Sequence, residues 1–211
     1  MNRSVFFAAA LSVPALVSYA GVASDPKPEE LNAKAVTWVE ANIKDKLAKN
    51  ADIIKALETA NTARASWKGY SADWEKWSPE EAEKNKDSYS YIEWLYSFKK
   101  DKKMREELTT GAAADALKAA VKDSNGFVTR LYILDAKGCN VAADVPTTDY
   151  FQGDEGKWTE VEKTKKVCAG EPPYRDKSTG IFAAQISVPV FNAKNEMIGA
   201  AMVVIATDKL K

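Results

Sequence analysis

From Phe127 to Thr207 the chain contains two pairs of strand-like segments, each pair joined by a short turn, and this pattern constrains the fold more than any other feature. FVTRLYILD alternates Phe127, Thr129, Leu131 and Ile133 against Val128, Arg130, Tyr132 and Leu134. Ala136-Lys137-Gly138 then turns the chain into CNVAAD. IFAAQISVPV and MIGAAMVVIAT make the second pair, across Asn192 to Glu196. Segments of this length and composition with turn residues between them read as β-hairpins. A further strand is expected within 167–176, and a short helix around Gly156 to Lys166 lies between the hairpins.

The residues before the sheet read as helices. Leu31, Ala35, Val39, Ile43 and Leu47 recur every four positions, and Ile54 and Leu57 extend the stripe after a drift of phase. One long helix from Glu29 to about Ala65, apolar on one face, is therefore expected. Four of the six tryptophans fall in 67–98. Ser78-Pro79-Glu80-Glu81 has the residues of a helix start, with Ser as cap, Pro first and Glu third. Tyr91, Trp94, Leu95 and Phe98 share one helical face, which suits core packing or carbohydrate stacking. Ala-rich 108–121 adds a helix that ends at Asp123-Ser124-Asn125-Gly126. Helices followed by antiparallel hairpins give an α+β domain, with 24–104 as its helical region and 105–211 as its sheet region, in one structural unit.

Residues 1–23 have the features of a secretory signal peptide. A short basic start at Arg3 precedes SVFFAAALSVPALV, and small residues offer cleavage after Ala20 or Ala23. The chain is thus expected in the periplasm or outside the cell. The sequence has 30 basic and 30 acidic side chains; loss of the leader removes only Arg3, leaving 29 against 30. With no basic block, nucleic acid is not an expected partner. There is no histidine, which excludes a Ser-His-Asp triad, HExxH zinc chemistry and His-ligated haem. Neither a metal nor a cofactor is expected, and the chain is read as non-enzymatic. Asp149, Asp154 and Glu155 do not have EF-hand spacing. A hydrolase using Asp149 with Asp154 or Glu155 is the alternative, disfavoured because all three acids lie in one loop.

The segment TTDYFQGDEGKW (147–158), together with YILDAKGCNVAAD before it and QISVPVFNAKNEMIGAAMVVI after it, resembles the extracellular Cache (PDC, PAS-like) sensor domains. It is similar in particular to small exported single-Cache proteins with a TSDYWQGDEAKW-type segment. The resemblance covers Phe127 to Thr207, and the helices before it fit by layout. Phe151 stands where that pattern has Trp, and 67–103 is richer in Trp and Lys than the family leads one to expect. The resemblance implies a curved antiparallel sheet with a metabolite pocket on one face, roofed by the helical insert. It also implies signalling to a membrane sensor kinase or chemoreceptor. The sequence continues into no transmembrane helix after the last strand, so a free binding protein, or one that docks elsewhere, is expected.

The expected ligand is a small metabolite such as an amino acid or small carboxylate, held by Arg130, Tyr132, Asp149, Tyr150, Gln152, Trp158 and Gln185. Arg130 and Tyr132 share one strand face, and a guanidinium pairs bidentately with carboxylate. Asp149 accepts from an ammonium or hydroxyl, Tyr150 and Trp158 offer ring walls, and Gln185 interrupts an apolar strand. Each has a structural counterpart: Asp149 as helix cap, Asp154 and Glu155 as helix-start acids, Gly153 as a turn residue and Trp158 as core. Arg130 could pair with Asp144, and Gln185 with an edge or a buried water. Two cysteines in an exported chain suggest a Cys139–Cys168 disulfide pinning the pocket roof, which on the Cache strand order requires the insert to fold back. The alternative function is a docking module in which the long helix dimerises or binds a protein, marked by exposed apolar surface along Val36 to Leu57.

Overall fold

The computed structural model describes residues 27–175 and 182–210. The leader and its two cleavage positions lie outside the described residues. No helix among the described residues is long and apolar enough to cross a membrane.

In chain order the helices are α1 (Pro28–Asn42), α2 (Lys44–Ala48), α3 (Ala51–Ala63), α4 (Pro79–Lys84) and α5 (Tyr89–Glu93), followed by a π-helical turn at Trp94–Phe98. Then come α6 (Lys102–Leu108), α7 (Ala112–Asp123), β1 (Val128–Asp135), β2 (Asn140–Ala143), α8 (Gly156–Thr164), β3 (Tyr174–Arg175), β4 (Phe182–Phe191) and β5 (Met197–Ala206). The expected α+β architecture, helices followed by an antiparallel sheet, is what the chain forms. The strands pair in the order β2-β1-β5-β4-β3, each neighbour antiparallel. Both hairpins are present, and β3 supplies the strand expected within 167–176.

The single long helix is corrected to three segments. A four-residue spacing drifts about 40° per step around a helix of 3.6 residues per turn, so one straight helix cannot keep such a stripe on one face. The chain breaks at Ile43, whose φ of −133° leaves the helical region, and again before α3. There Asn50 accepts hydrogen bonds from the amides of Asp52 and Ile53, at 3.0 and 3.1 Å, and starts a new helix. The breaks let Leu31, Ala35, Val39, Ile43 and Leu47 all be buried; Ile53, rather than the expected Ile54, then joins Leu57 in the core.

Strand alternation assigns the two sheet faces. Leu131 and Ile133 of β1, Ala184, Ile186 and Val188 of β4, and Ala201, Val203 and Ile205 of β5 point to one side. There they meet α1, α2, α3 and α7, and each buried Leu, Ile or Val contributes roughly 1.5–3 kcal/mol. Tyr132 and Leu134, Ala183, and Ala200, Met202 and Val204 point to the other side, where α8 packs with Trp158 and Val161.

A third cluster lies beside β2: Tyr89, Tyr96, Leu108, Cys139 and Tyr150. The Ser78 start is a complete capping box, with Ser78 and Glu81 exchanging side-chain-to-backbone hydrogen bonds. In the aromatic segment Tyr89, Ser90, Glu93, Trp94 and Tyr96 are buried, while Tyr91 and Phe98 stack on Trp94 and Phe98 is 59% exposed.

Candidate functional site

On the α8 side of the sheet a cavity of about 590 Å³ opens between β1, β4, β5, the loop 147–155 and the segment before β3. Strand alternation places its floor: Arg130 and Tyr132 from β1, Gln185 from β4 and Val204 from β5. The loop contributes Thr147, Thr148, Asp149, Gln152 and Glu155. Lys157 enters from the first turn of α8, with Glu171, Tyr174 and Arg175 on the far wall.

Two close approaches seat the loop. Gly138 adopts φ +83°, and a Cβ there would fall 2.3 Å from the Gly153 Cα. A Cβ at Gly153 would fall 2.3 Å from the Lys137 carbonyl oxygen. Gly153 is therefore required by packing against the β1–β2 turn, not by a turn conformation of its own. Asn140, buried at the start of β2, donates to the carbonyls of Asp149 and Tyr150. The Thr147 hydroxyl donates to the Asp149 carbonyl at 2.8 Å.

Among the described residues six buried side-chain polar atoms lack a hydrogen-bond partner: Asn32 Oδ1, Trp94 Nε1 and Asn140 Oδ1 away from the cavity, and Arg130 Nε, Gln152 Oε1 and Gln185 Oε1. The last three of these residues line this cavity. Arg130 donates from Nη2 to the Pro146 carbonyl at 2.9 Å, while its Nε lies 3.7 Å from Asp144 Oδ1. That is an ion pair, too long for a hydrogen bond. Gln152, 2% exposed, donates to the Asp149 carbonyl at 3.2 Å, and Gln185 donates to the Tyr174 hydroxyl at 3.1 Å. Their carbonyl oxygens are left as acceptors, a donor and two acceptors in all from three separate elements.

The charges around the cavity are of both signs. Arg130, Lys157 and Arg175 stand with Asp149, Glu155 and Glu171. Lys157, almost fully buried, is ion-paired to Glu155. Burial raises the Glu155 carboxyl above its ordinary value; Lys157 opposes the shift, while Glu171 and Asp149 add to it. Burial, with Glu155, Tyr174 and Glu171 nearby, holds the Tyr132 phenol far above its ordinary value, so its hydroxyl stays protonated and can donate. Among the described residues, no group of three or more His, Cys, Asp or Glu is placed to hold a metal ion.

Of the seven expected ligand residues, five line the cavity: Arg130, Tyr132, Asp149, Gln152 and Gln185. Tyr150 and Trp158 do not. Tyr150 turns away from the cavity, into the cluster beside β2, where its ring meets Tyr96 edge-on and its hydroxyl accepts from Arg64 at 3.2 Å. Trp158 packs as core under Tyr132 and Val161 and against Gly138. Asp149 does not cap α8: its carboxylate accepts from the Thr148 hydroxyl, and Glu155 occupies the cap position without a capping bond.

The expected Cys139–Cys168 bridge is not present in this structure. Cys139 and Cys168 are both free thiols. Cys139 pairs with Phe151 at the β2 end, and Cys168 pairs with Ser187 on the outer side of β4. Four strand spacings separate these positions, roughly 19 Å. A disulfide tolerates about 7 Å between Cα atoms.

Lys157, Glu171, Tyr174 and the two threonines were not anticipated as cavity residues, although Lys157 and the threonines stand inside the 147–158 segment. Glu93, described below, has one sequence signal: it is the only charged residue between Asp87 and Lys99.

No protein-family model matches the chain, and neither does any curated protein. Solved structures do match, among them sensor and ligand-binding domains. An extracellular ligand binding receptor from Desulfohalobium retbaense is 15% identical over 86% of this chain, with a TM-score of 0.37, and the chain spans 25% of its length. The E. coli DcuS sensor domain is 11% identical over 52% of the chain and 80% of its own length, at 0.34. The sensory domain of the Campylobacter jejuni chemoreceptor Tlp3, solved with isoleucine bound, is 15% identical over 89% of the chain and 66% of its own length, at 0.36. At these identities and scores the likeness carries no argument about ligand or role, which rest on the chain's own residues.

Proposed function

We propose that this chain is an exported, non-enzymatic binding protein that holds a small polar metabolite, an amino acid or a small carboxylate, in the cavity over β1, β4 and β5. The observation that carries this reading is that three of the six unpartnered buried atoms, Arg130 Nε, Gln152 Oε1 and Gln185 Oε1, belong to residues that line this one cavity. Buried polar groups left without a partner cost about 1–3 kcal/mol each, and a ligand that supplies one acceptor and two donors would relieve that cost once these three side chains turn toward the cavity they line. Asp149 and Glu171 suit an ammonium, and Arg130 with Arg175 suits a carboxylate. The role of the bound metabolite is sensing, or presentation to a membrane sensor kinase or chemoreceptor.

The docking alternative predicts exposed apolar surface along Val36 to Leu57. Instead Val39, Ile43, Leu47, Ile53 and Leu57 are buried against the sheet. The exposed large apolar side chains among the described residues are Phe98, Val145, Tyr174 and Phe182, none on α1 to α3. This disfavours both docking and homodimerisation through those helices.

The test is a thermal-shift screen against amino acids, small carboxylates, amines and sugars. A compound at ~100 times its dissociation constant stabilises by about 2.7 kcal/mol. Support is a rise confined to one chemical class and abolished in Arg130→Ala and Gln152→Leu. A panel without effect, or a rise that survives both substitutions, overturns the reading.

A further inference from the structure

The loop 147–155 supplies cavity residues on one side and is gripped from the other. Glu93, at the end of α5 and 2% exposed, accepts at Oε2 from the amide of Tyr150 at 2.8 Å and from that of Phe151 at 2.5 Å. Its Oε1 accepts from the Ser97 hydroxyl. One helical turn on, the Tyr96 hydroxyl donates to the Thr147 carbonyl at 2.8 Å. Phe151 is stacked on Tyr70, with ring centroids 4.1 Å apart. The start and the middle of the loop are thus both tied to the segment Tyr89–Phe98.

Two successive amides on one carboxylate oxygen fix position sharply. The backbone at 150–151 cannot slide without stretching two charge-assisted hydrogen bonds in a buried setting. Asp149 and Gln152 flank that dipeptide, so their place in the cavity is set by where Glu93 holds it. A buried carboxylate is a costly choice where packing alone would serve.

We propose that Glu93 is the positioning residue of the cavity, holding the backbone of 147–155 from outside and tying ligand seating on Asp149 and Gln152 to the position of the segment Tyr89–Phe98. The inference rests on the cavity being a ligand site. Linkage then runs both ways: a ligand that orders the loop also orders this helical segment.

The test compares wild type, Glu93→Gln and Glu93→Ala by residue-resolved amide exchange without ligand, and by thermal shift with each of the twenty common L-amino acids singly. Gln retains an oxygen for the two amides and can donate to Ser97; Ala retains neither. In Glu93→Ala, exchange across 147–155 is expected to quicken by about tenfold or more while β4 and β5 are unchanged, and Glu93→Gln is expected to stay near wild type. Any amino acid that stabilises wild type should stabilise Glu93→Gln similarly and Glu93→Ala much less. Unchanged loop exchange in Glu93→Ala overturns the proposal, and so does loss of protection spread evenly over the sheet. If Glu93→Ala does not fold, Glu93→Asp withdraws the carboxylate from the two amides by one methylene, and unchanged loop exchange in that variant overturns the proposal equally. If no amino acid stabilises wild type, that counts against the ligand class alone, because the exchange arm still decides the anchor.

Discussion

Arg64 at the end of α3 places Nη1 2.6 Å from Asp135 Oδ2 at the end of β1, with the aspartate side chain fully buried and the arginine nearly so. Asp135 Oδ1 accepts from the amides of Lys137 and Cys139, and Arg64 Nη2 reaches the Asn140 carbonyl and the Tyr150 hydroxyl. One ion pair thus joins the helical layer, the β1–β2 turn and the back of the cavity loop. Removing one partner of such a pair strands a buried charge. Arg64→Met is expected to lose about 3–5 kcal/mol in urea unfolding, with partial recovery when Asp135→Asn is added. A single-variant loss below about 1 kcal/mol would show that the pair is replaceable by packing.

Gln152 should separate binding from stability. Its Oε1 is buried and unpartnered, so Gln152→Leu removes a desolvation cost and gives up the Nε2 bond to the Asp149 carbonyl. The ligand-free melting temperature is expected to change little, within about 1 kcal/mol, while stabilisation by any cavity ligand is lost. Equal loss of both would make Gln152 a structural residue.

Glu93 predicts a pH dependence. Its folded pKa is raised above 4.5 by burial, against the opposing hydrogen bonds of Phe151 and Ser97. Between 4.5 and the raised value the folded state holds more protons than the unfolded chain. The stability this group contributes is therefore full below 4.5 and is lost as the pH rises through the folded value. Glu93→Gln does not titrate, so the difference in unfolding free energy between wild type and variant should move in the variant's favour across that window. Urea midpoints measured at half-unit pH steps give the answer, and a flat difference contradicts the buried carboxylate.

Gly153→Ala tests the close approach at the β1–β2 turn. The added methyl meets the Lys137 carbonyl oxygen at 2.3 Å and the Phe151 ring at 2.5 Å. The expected cost is about 1–3 kcal/mol in unfolding free energy, from displacement of the loop. A neutral substitution would mean the loop shifts freely over the turn.

Thiol counting checks the cysteines. Denatured, unreduced protein should react with two equivalents of Ellman's reagent, in keeping with two free thiols. The folded protein should react slowly, because burial holds the Cys139 thiol far above its ordinary value and raises that of Cys168. No reaction after denaturation would show a bridge.

The sheet was legible from the alternation in 127–206 because period two fixes faces directly, and Arg130, Tyr132 and Gln185 were placed on the cavity face by it. Loop residues have no such rule. In 147–158 the sequence shows which groups are present, but not which way consecutive residues turn. Tyr150 and Gln152 in fact face opposite sides, because Glu93 and Arg64, distant in sequence, pull the backbone and ring of Tyr150 away from the cavity. The break of the long helix was visible as the drift of its stripe, but the drift alone does not say whether a helix bends or stops. Asn50 is the residue that decides it.

The alternation of β4 has a practical consequence. Ala183, Gln185 and Ser187 look toward the cavity side, while Ala184, Ile186 and Val188 hold the helices, so recognition and cohesion occupy interleaved positions along one strand. Gln185 can be exchanged for another polar residue without altering the volume enclosed on the opposite side. A library that varies Arg130 and Gln185 together would therefore change which molecule is chosen and leave the helix-facing side chains of the sheet untouched.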